Sequence, residues 1–173
     1  MRDYCLSAIK YHERSREKQV YGAQMDMPQR GTASKILVVE DDPMVSTVFR
    51  VALERAGHQV VHARDGKECL ENLVAFGGAF DLLLSDVVLG DSDGVTTLDR
   101  LRMFCPATPI LMVSGYPLQL LVERGYLPDG AIDQHRNFFL QKPFMPAQLM
   151  AMVQSVLSSA NTRSMTHAAG SER

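Results

Sequence analysis

Apolar residues follow two rhythms along this chain. Short runs are apolar almost throughout: Lys35-Ile-Leu-Val-Val39, Asp81-Leu-Leu-Leu-Ser85, Pro109-Ile-Leu-Met-Val113 and Phe138-Phe-Leu-Gln141, with Gln59 to Ala63 a fifth short strand. Runs of this length and character predict strands of a parallel sheet buried on both faces. Between them the apolar positions change to helical spacing. Val45, Val48, Phe49, Ala52 and Leu53 form a first helical face, with Asp42 as its cap, Pro43 at its first position and Gly57 at its close. A second helix opens at Asp65-Gly66, carries Cys69, Leu70, Leu73 and Val74, and stops at Gly77-Gly78. A third carries Val95, Leu98, Leu101 and Phe104, a fourth lies near Leu118–Arg124, and a fifth runs from Pro146 to about Leu157. Strict alternation of strand and helix with short connections predicts an α/β domain: a doubly wound parallel sheet with right-handed crossovers.

The two ends differ from this pattern. Residues 1–34 hold six basic residues (Arg2, Lys10, Arg14, Arg16, Lys18, Arg30) against four acids (Asp3, Glu13, Glu17, Asp26), a balance of +2. Ser7 to Val20 has a thin apolar stripe, and Pro28-Gln-Arg-Gly31 reads as a linker, so the segment is expected to be a polar extension rather than a basic arm for nucleic acid. Residues 35–158 form the expected domain. Residues 159–173 are rich in Ser, Thr, Ala and scattered charge and are expected to be a disordered tail.

Composition narrows the class. A chain of 173 residues has room for one domain with a substantial core, and a net charge of −2 favours neither nucleic acid nor membrane as partner. Three cysteines, Cys5, Cys69 and Cys105, form no CxxC pair and no metal-ligand spacing, and read as reduced thiols. No apolar stretch approaches the ~20 residues of a membrane span and no signal-peptide core opens the chain, so a cytoplasmic location is expected.

The chemistry lies at the ends of the strands. The first runs into Glu40-Asp41-Asp42, the third ends at Asp86, the fourth at Ser114 and the fifth at Lys142-Pro143. If the strands pair side by side, their carboxyl ends collect acids, a hydroxyl and an ammonium at the edge where open α/β sheets bind ligands.

These residues resemble the receiver domain of two-component response regulators over roughly residues 34–158. The family's first strand enters an acidic pair, here Glu40-Asp41; its phosphoacceptor ends strand three, here Asp86, ahead of a loop closing in Asp-Gly, here Asp93-Gly94. A Ser or Thr ends strand four, here Ser114, followed by the small Gly115. Lys-Pro ends strand five, here Lys142-Pro143, and an aromatic three residues before the lysine corresponds to Phe139.

The resemblance implies a flavodoxin-like, five-stranded parallel sheet of order 2-1-3-4-5. It implies Mg²⁺ bound directly by Asp41 and Asp86 and the Val88 backbone carbonyl, with Glu40 acting through water. It also implies Asp86 as phosphoacceptor, Lys142 and Ser114 as its catalytic partners, and Ser114 with Phe139 as the switch. Three carboxylates close together repel by roughly 4 kcal/mol per pair at an intermediate dielectric, which a hard cation relieves. The implied partners are a sensor histidine kinase or a histidine phosphotransfer protein, and a downstream protein on the face of helix four, strand five and helix five.

Each residue also has a plainer reading. Asp42 is expected to cap a helix rather than bind metal. An acid pair ahead of a helix can serve only the helix dipole, Lys142 can be a surface lysine, Ser114 a turn residue and Phe139 part of the core. Asp93 and Gly94 are expected to shape the loop, and the five histidines read as ordinary. The sequence departs from the family where Gly90 replaces a frequent proline, where Val88 offers no polar side chain, and where a surplus, Tyr126-Leu-Pro-Asp-Gly-Ala-Ile-Asp133, follows helix four. No output domain is expected after residue 158, so the reading is a single-domain regulator, similar to receivers of hybrid histidine kinases, that acts by relay or docking and promotes only its own phosphorylation and dephosphorylation. A receiver fold that docks without being phosphorylated is the alternative. A haloacid-dehalogenase-type phosphatase built on Asp91-Ser-Asp93 is a remote one, because that family needs its acidic pair after the lysine.

Overall fold

A computed structural model describes residues 33–89, 101–133 and 136–168. Five strands form the sheet: β1 Lys35–Val39, β2 Gln59–Ala63, β3 Leu82–Asp86, β4 Ile110–Ser114 and β5 Asn137–Gln141. All neighbours are parallel and the order is β2-β1-β3-β4-β5. The helices are α1 Pro43–Arg55 and α2 Gly66–Ala75, α3, of which residues 101–104 are described, then α4 Leu118–Glu123 and α5 Pro146–Ala168. This is the predicted doubly wound, flavodoxin-like fold.

Side chains alternate across each strand, so one run of apolar residues feeds two cores. Leu37, Val39, Leu83, Ile110 and Met112 join one cluster with Cys69 and Leu73 of α2 and Leu121 of α4. Ile36, Val38, Leu82, Leu84, Leu111 and Val113 join the other, with Phe49 and Leu53 of α1 and Leu149, Val153 and Val156 of α5. Burial on both faces explains why these strands read as continuous apolar runs.

Capping agrees with the sequence. The Asp42 carboxylate accepts from the N–H groups of Met44 at 2.7 Å and Val45 at 3.3 Å, and Asp65 accepts from the N–H of Glu68 at 2.8 Å. Gly57, with φ of 92°, lets the chain leave α1 while its N–H and that of His58 bond to Glu54 and Leu53.

Two sets of expectations are corrected. Val48, Val74 and Phe104, assigned to helix faces packed on the sheet, are solvent-exposed; each stands beside a true core position (Phe49, Leu73, Cys105), where a 3.6-residue period leaves the choice ambiguous. The last helix does not end near Leu157 but continues to Ala168. Among the described side chains its packing on the sheet runs to Leu157, and no Gly or Pro interrupts the chain until Gly170, so nothing local ends the helix there. Residues 159–168 are therefore helical rather than a disordered tail.

The surplus after α4 has a packed place in the fold. Gly125 and Gly130 take φ of 74° and 72°, and between them Leu127 is buried, with Ala131 buried just beyond. Both join the cluster that contains Leu121 of α4, with Tyr126 and Ile132 packed against it. The segment is a piece of core, pinned at its end by the Asp133 carboxylate, which accepts from the N–H groups of Arg136 and Asn137, both at 2.8 Å.

Candidate functional site

The sheet order fixes which chain ends meet. β1 and β3 lie side by side with Val39 opposite Ser85, which sets Glu40 beside Asp86. β4 is the template for the other half. Asp86 pairs in register with Val113 and Ser114 with Gln141. The Val113 carbonyl accepts from Val87 N–H at 2.9 Å, and the Ser114 carbonyl accepts from Lys142 N–H at 2.7 Å. One strand end therefore holds the backbone on both sides of the site.

Lys142 completes it. Its Nζ donates to Asp86 Oδ2 at 2.7 Å and to Glu40 Oε2 at 2.8 Å. The side chain follows an apolar wall: Nζ lies 5.7 Å from the centroid of Phe49, whose ring stacks on Phe144. Glu40 is 2% exposed, and its Oε1 accepts from Asp42 N–H at 3.3 Å. Asp86 Oδ1 accepts from Val88 N–H at 2.9 Å.

The electrostatics are those of a compact charge triad. Burial pushes the Glu40 carboxyl upward, and the hydrogen bond and charge of Lys142 act against that without cancelling it. Burial pulls the Lys142 ammonium down, but hydrogen bonds to Asp86 and Glu40 outweigh it and the net shift is upward. At neutral pH the lysine is a cation held between two acids.

The remaining predicted residues differ in exposure and partners. Asp41 is exposed. Ser114 is buried, with its Oγ accepting from Tyr116 N–H at 3.2 Å, so it combines a turn role with its place at the strand end. Phe139, opposite Met112, is partly buried against the first cluster. Asp91, Asp93 and Gly94, and with them the phosphatase-like motif, lie outside the described residues, as do Cys5 and Gly90. Cys69 and Cys105 are buried, and burial pushes the Cys69 thiol up to about 12, so neither matches a reactive thiolate.

The donor set suits a hard divalent cation. Among the described residues no three acid, histidine or cysteine side chains gather into a cage of their own. The exposed Asp41 carboxylate, the partly buried Asp86 carboxylate and a backbone carbonyl such as that of Val88 are donor types that Mg²⁺ takes, one or two carboxylates with several waters kept.

His62 was not singled out by the sequence. Its Nε2 lies 3.0 Å from the Glu40 carbonyl; the only signal is its register position opposite Val38, which is invisible until β1 and β2 are paired.

Comparison with known proteins agrees with this geometry. The family model described as the response regulator receiver domain matches residues 36–154. The sensor kinase CckA of Brucella abortus is 35% identical over 125 residues, covering 72% of this chain and 13% of the kinase. The alkaline phosphatase synthesis regulator PhoP of Bacillus subtilis is 35% identical over 123 residues, covering 71% of this chain and 48% of the regulator. The chain thus spans about half or less of either relative. Among solved structures, the chemotaxis response regulator CheY4 of Vibrio cholerae superposes with a TM-score of 0.60 at 28% identity, over 72% of this chain and 99% of that one. No described helix is long and apolar enough to cross a membrane.

Proposed function

The chain belongs to the response regulator receiver domain family, and on that premise we propose that Asp86 accepts a phosphoryl group from the phosphohistidine of a sensor histidine kinase or histidine phosphotransfer protein. The observation that carries the reading is the Lys142 ammonium held against the Asp86 carboxylate at 2.7 Å, with Glu40 as its second anchor.

An Asp86 carboxylate oxygen attacks phosphorus in line as the phosphorus–nitrogen bond breaks, and the imidazole of the donor keeps the electron pair. The result is an acyl phosphate on Asp86. Lys142 neutralises the nucleophile before reaction and, being a flexible cation with three donors, stays within reach of the phosphoryl oxygens afterwards. Glu40 keeps that ammonium from leaving the site. Asp41, Asp86 and the Val88 carbonyl, with Glu40 through water, would hold Mg²⁺, which when bound would supply positive charge for the transferring oxygens.

The new charge then acts on the neighbouring strand ends. Ser114 turns its hydroxyl from the Tyr116 turn to the phosphoryl group, and Phe139 rotates inward behind it, changing the face made by α4, β5 and α5. The signal leaves through that face, by docking to a protein partner or by passing the phosphoryl group along a relay. A receiver fold that docks without phosphorylation has no use for a lysine anchored on two acids, so the intact triad supports the phosphorylated reading.

Chelation tests the metal dependence. Labelling of Asp86 by a small phosphodonor should stop when divalent cation is removed and return with added Mg²⁺. Asp41→Ala should need far more Mg²⁺ to reach the same labelling. Labelling that ignores both changes contradicts the reading.

A further inference from the structure

The β1–β2 ladder ends at Val39 opposite Ala63. Beyond it β2 turns at Arg64 and Asp65 into α2, yet the chain on the β1 side still has to present Glu40 and Asp41 in a fixed direction. Glu40 N–H makes one more bond across the gap, to the Ala63 carbonyl at 3.0 Å. Its own carbonyl belongs to the peptide group that joins Glu40 to Asp41, and it meets His62 Nε2 at 3.0 Å. A carbonyl only accepts, so Nε2 carries the hydrogen and donates. His62 is held in turn, because Asn72 of α2 donates from Nδ2 to the His62 carbonyl at 3.3 Å.

We propose that His62 is a positioning residue for the acidic pair: by donating to the Glu40 carbonyl it fixes the Glu40–Asp41 peptide plane, and so the direction in which the Asp41 carboxylate faces the metal. Glu40 is then restrained at four atoms. The backbone N–H bonds to Ala63, the carbonyl to His62, and Oε1 and Oε2 to Asp42 and Lys142. Asp41, the next residue, has an exposed side chain and no hydrogen bond or ion pair of its own carboxylate to another described residue. Its geometry comes from the peptide that precedes it. A second partner that orients a ligand costs metal affinity when lost, although it never touches the metal.

This inference rests on the metal role given to Asp41, so its test has two readouts. In metal-free protein, amide hydrogen exchange at Glu40 reports the last β1–β2 bond. Calorimetric titration with Mg²⁺ reports the ligand. His62→Phe keeps the ring and removes the donor; His62→Gln restores a donor on a flexible arm. The phenylalanine variant should exchange the Glu40 amide roughly tenfold faster and bind Mg²⁺ about tenfold more weakly. The glutamine variant should recover most of both, with the two variants alike in thermal stability. If His62→Phe does not fold, His62→Asn, whose amide is one bond too short to reach, takes its place with the same expectations. Wild-type exchange and affinity in the donorless variant overturn the proposal, as does a glutamine variant as impaired as phenylalanine. A wild-type protein that binds no Mg²⁺ instead contradicts the metal reading of the site, and His62 is then judged by the exchange rates alone.

Discussion

Lys142 Nζ stands 2.7 Å from Asp86 Oδ2, joining residues 56 positions apart in the chain. β4 makes the meeting possible, since its last two carbonyls hold the backbone at Val87 and at Lys142. Glu40 shares the same ammonium at 2.8 Å. The site is thus a cation placed where two acids converge at the ends of β1 and β3.

Removing that cation should cost both stability and chemistry. Lys142→Met leaves Glu40 and Asp86 facing each other without compensation. The lysine side chain is 22% exposed, so the loss should be about 2 kcal/mol, below the range for fully buried pairs. Urea unfolding measures it. Phosphorylation by a small phosphodonor should fall steeply in the same variant. Lys142→Arg should keep the stability better than the chemistry, because a planar guanidinium does not reproduce a compact ammonium.

The surplus after α4 should behave as core. Leu127→Ala is expected to destabilise the domain by about 2–4 kcal/mol, the range for emptying a buried leucine site. Asp129→Ala, at an exposed position of the same segment, should change stability by less than about 0.5 kcal/mol. Equal, small effects in chemical denaturation would show that the segment does not contribute to the core.

His58 gives the domain a mild sensitivity to acid. Burial pulls its imidazole below the ordinary value, with the charge of Asp81 opposing, and Nδ1 accepts from Ser34 N–H at 3.4 Å, a bond that needs the neutral ring. A histidine whose folded pKa is depressed binds its proton more readily when unfolded. Its contribution is therefore complete above the unfolded value of about 6.5 and is lost as pH falls through that value toward the folded one. The stability of wild type relative to His58→Gln should decline as pH falls through about 6.5 and below. A difference that is flat, or that grows toward acid, would contradict this.

Much of the fold was legible because each strand is buried on both faces and so carries an unbroken apolar run, and because Asp42, Asp65 and Gly57 mark helix ends by local chemistry. The site was legible for the same reason, since Glu40, Asp86, Ser114 and Lys142 stand where those runs stop. What escaped depends on contacts between distant segments. Val48 and Phe49 are neighbours in sequence, and only the packing of α1 decides which is core. Leu127 sits in a segment that stands out in sequence only as a surplus, and its burial depends on the cluster it joins with Leu121 and Ile132. The length of α5 was hidden because the Ser, Thr, Asn and Ala residues after Leu157 read as a polar tail. His62 was passed over because a histidine acquires a role here only through β2's register against β1.

The central claim is that Asp86 accepts a phosphoryl group. Intact-mass analysis after incubation with a small phosphodonor and Mg²⁺ tests it most directly. Wild type should gain the mass of a single phosphoryl group, only when Mg²⁺ is present, and Asp86→Ala should gain none. Equal labelling of wild type and the alanine variant, or a folded, Mg²⁺-loaded wild type that takes up nothing from small donors or from a phosphohistidine protein, would contradict it.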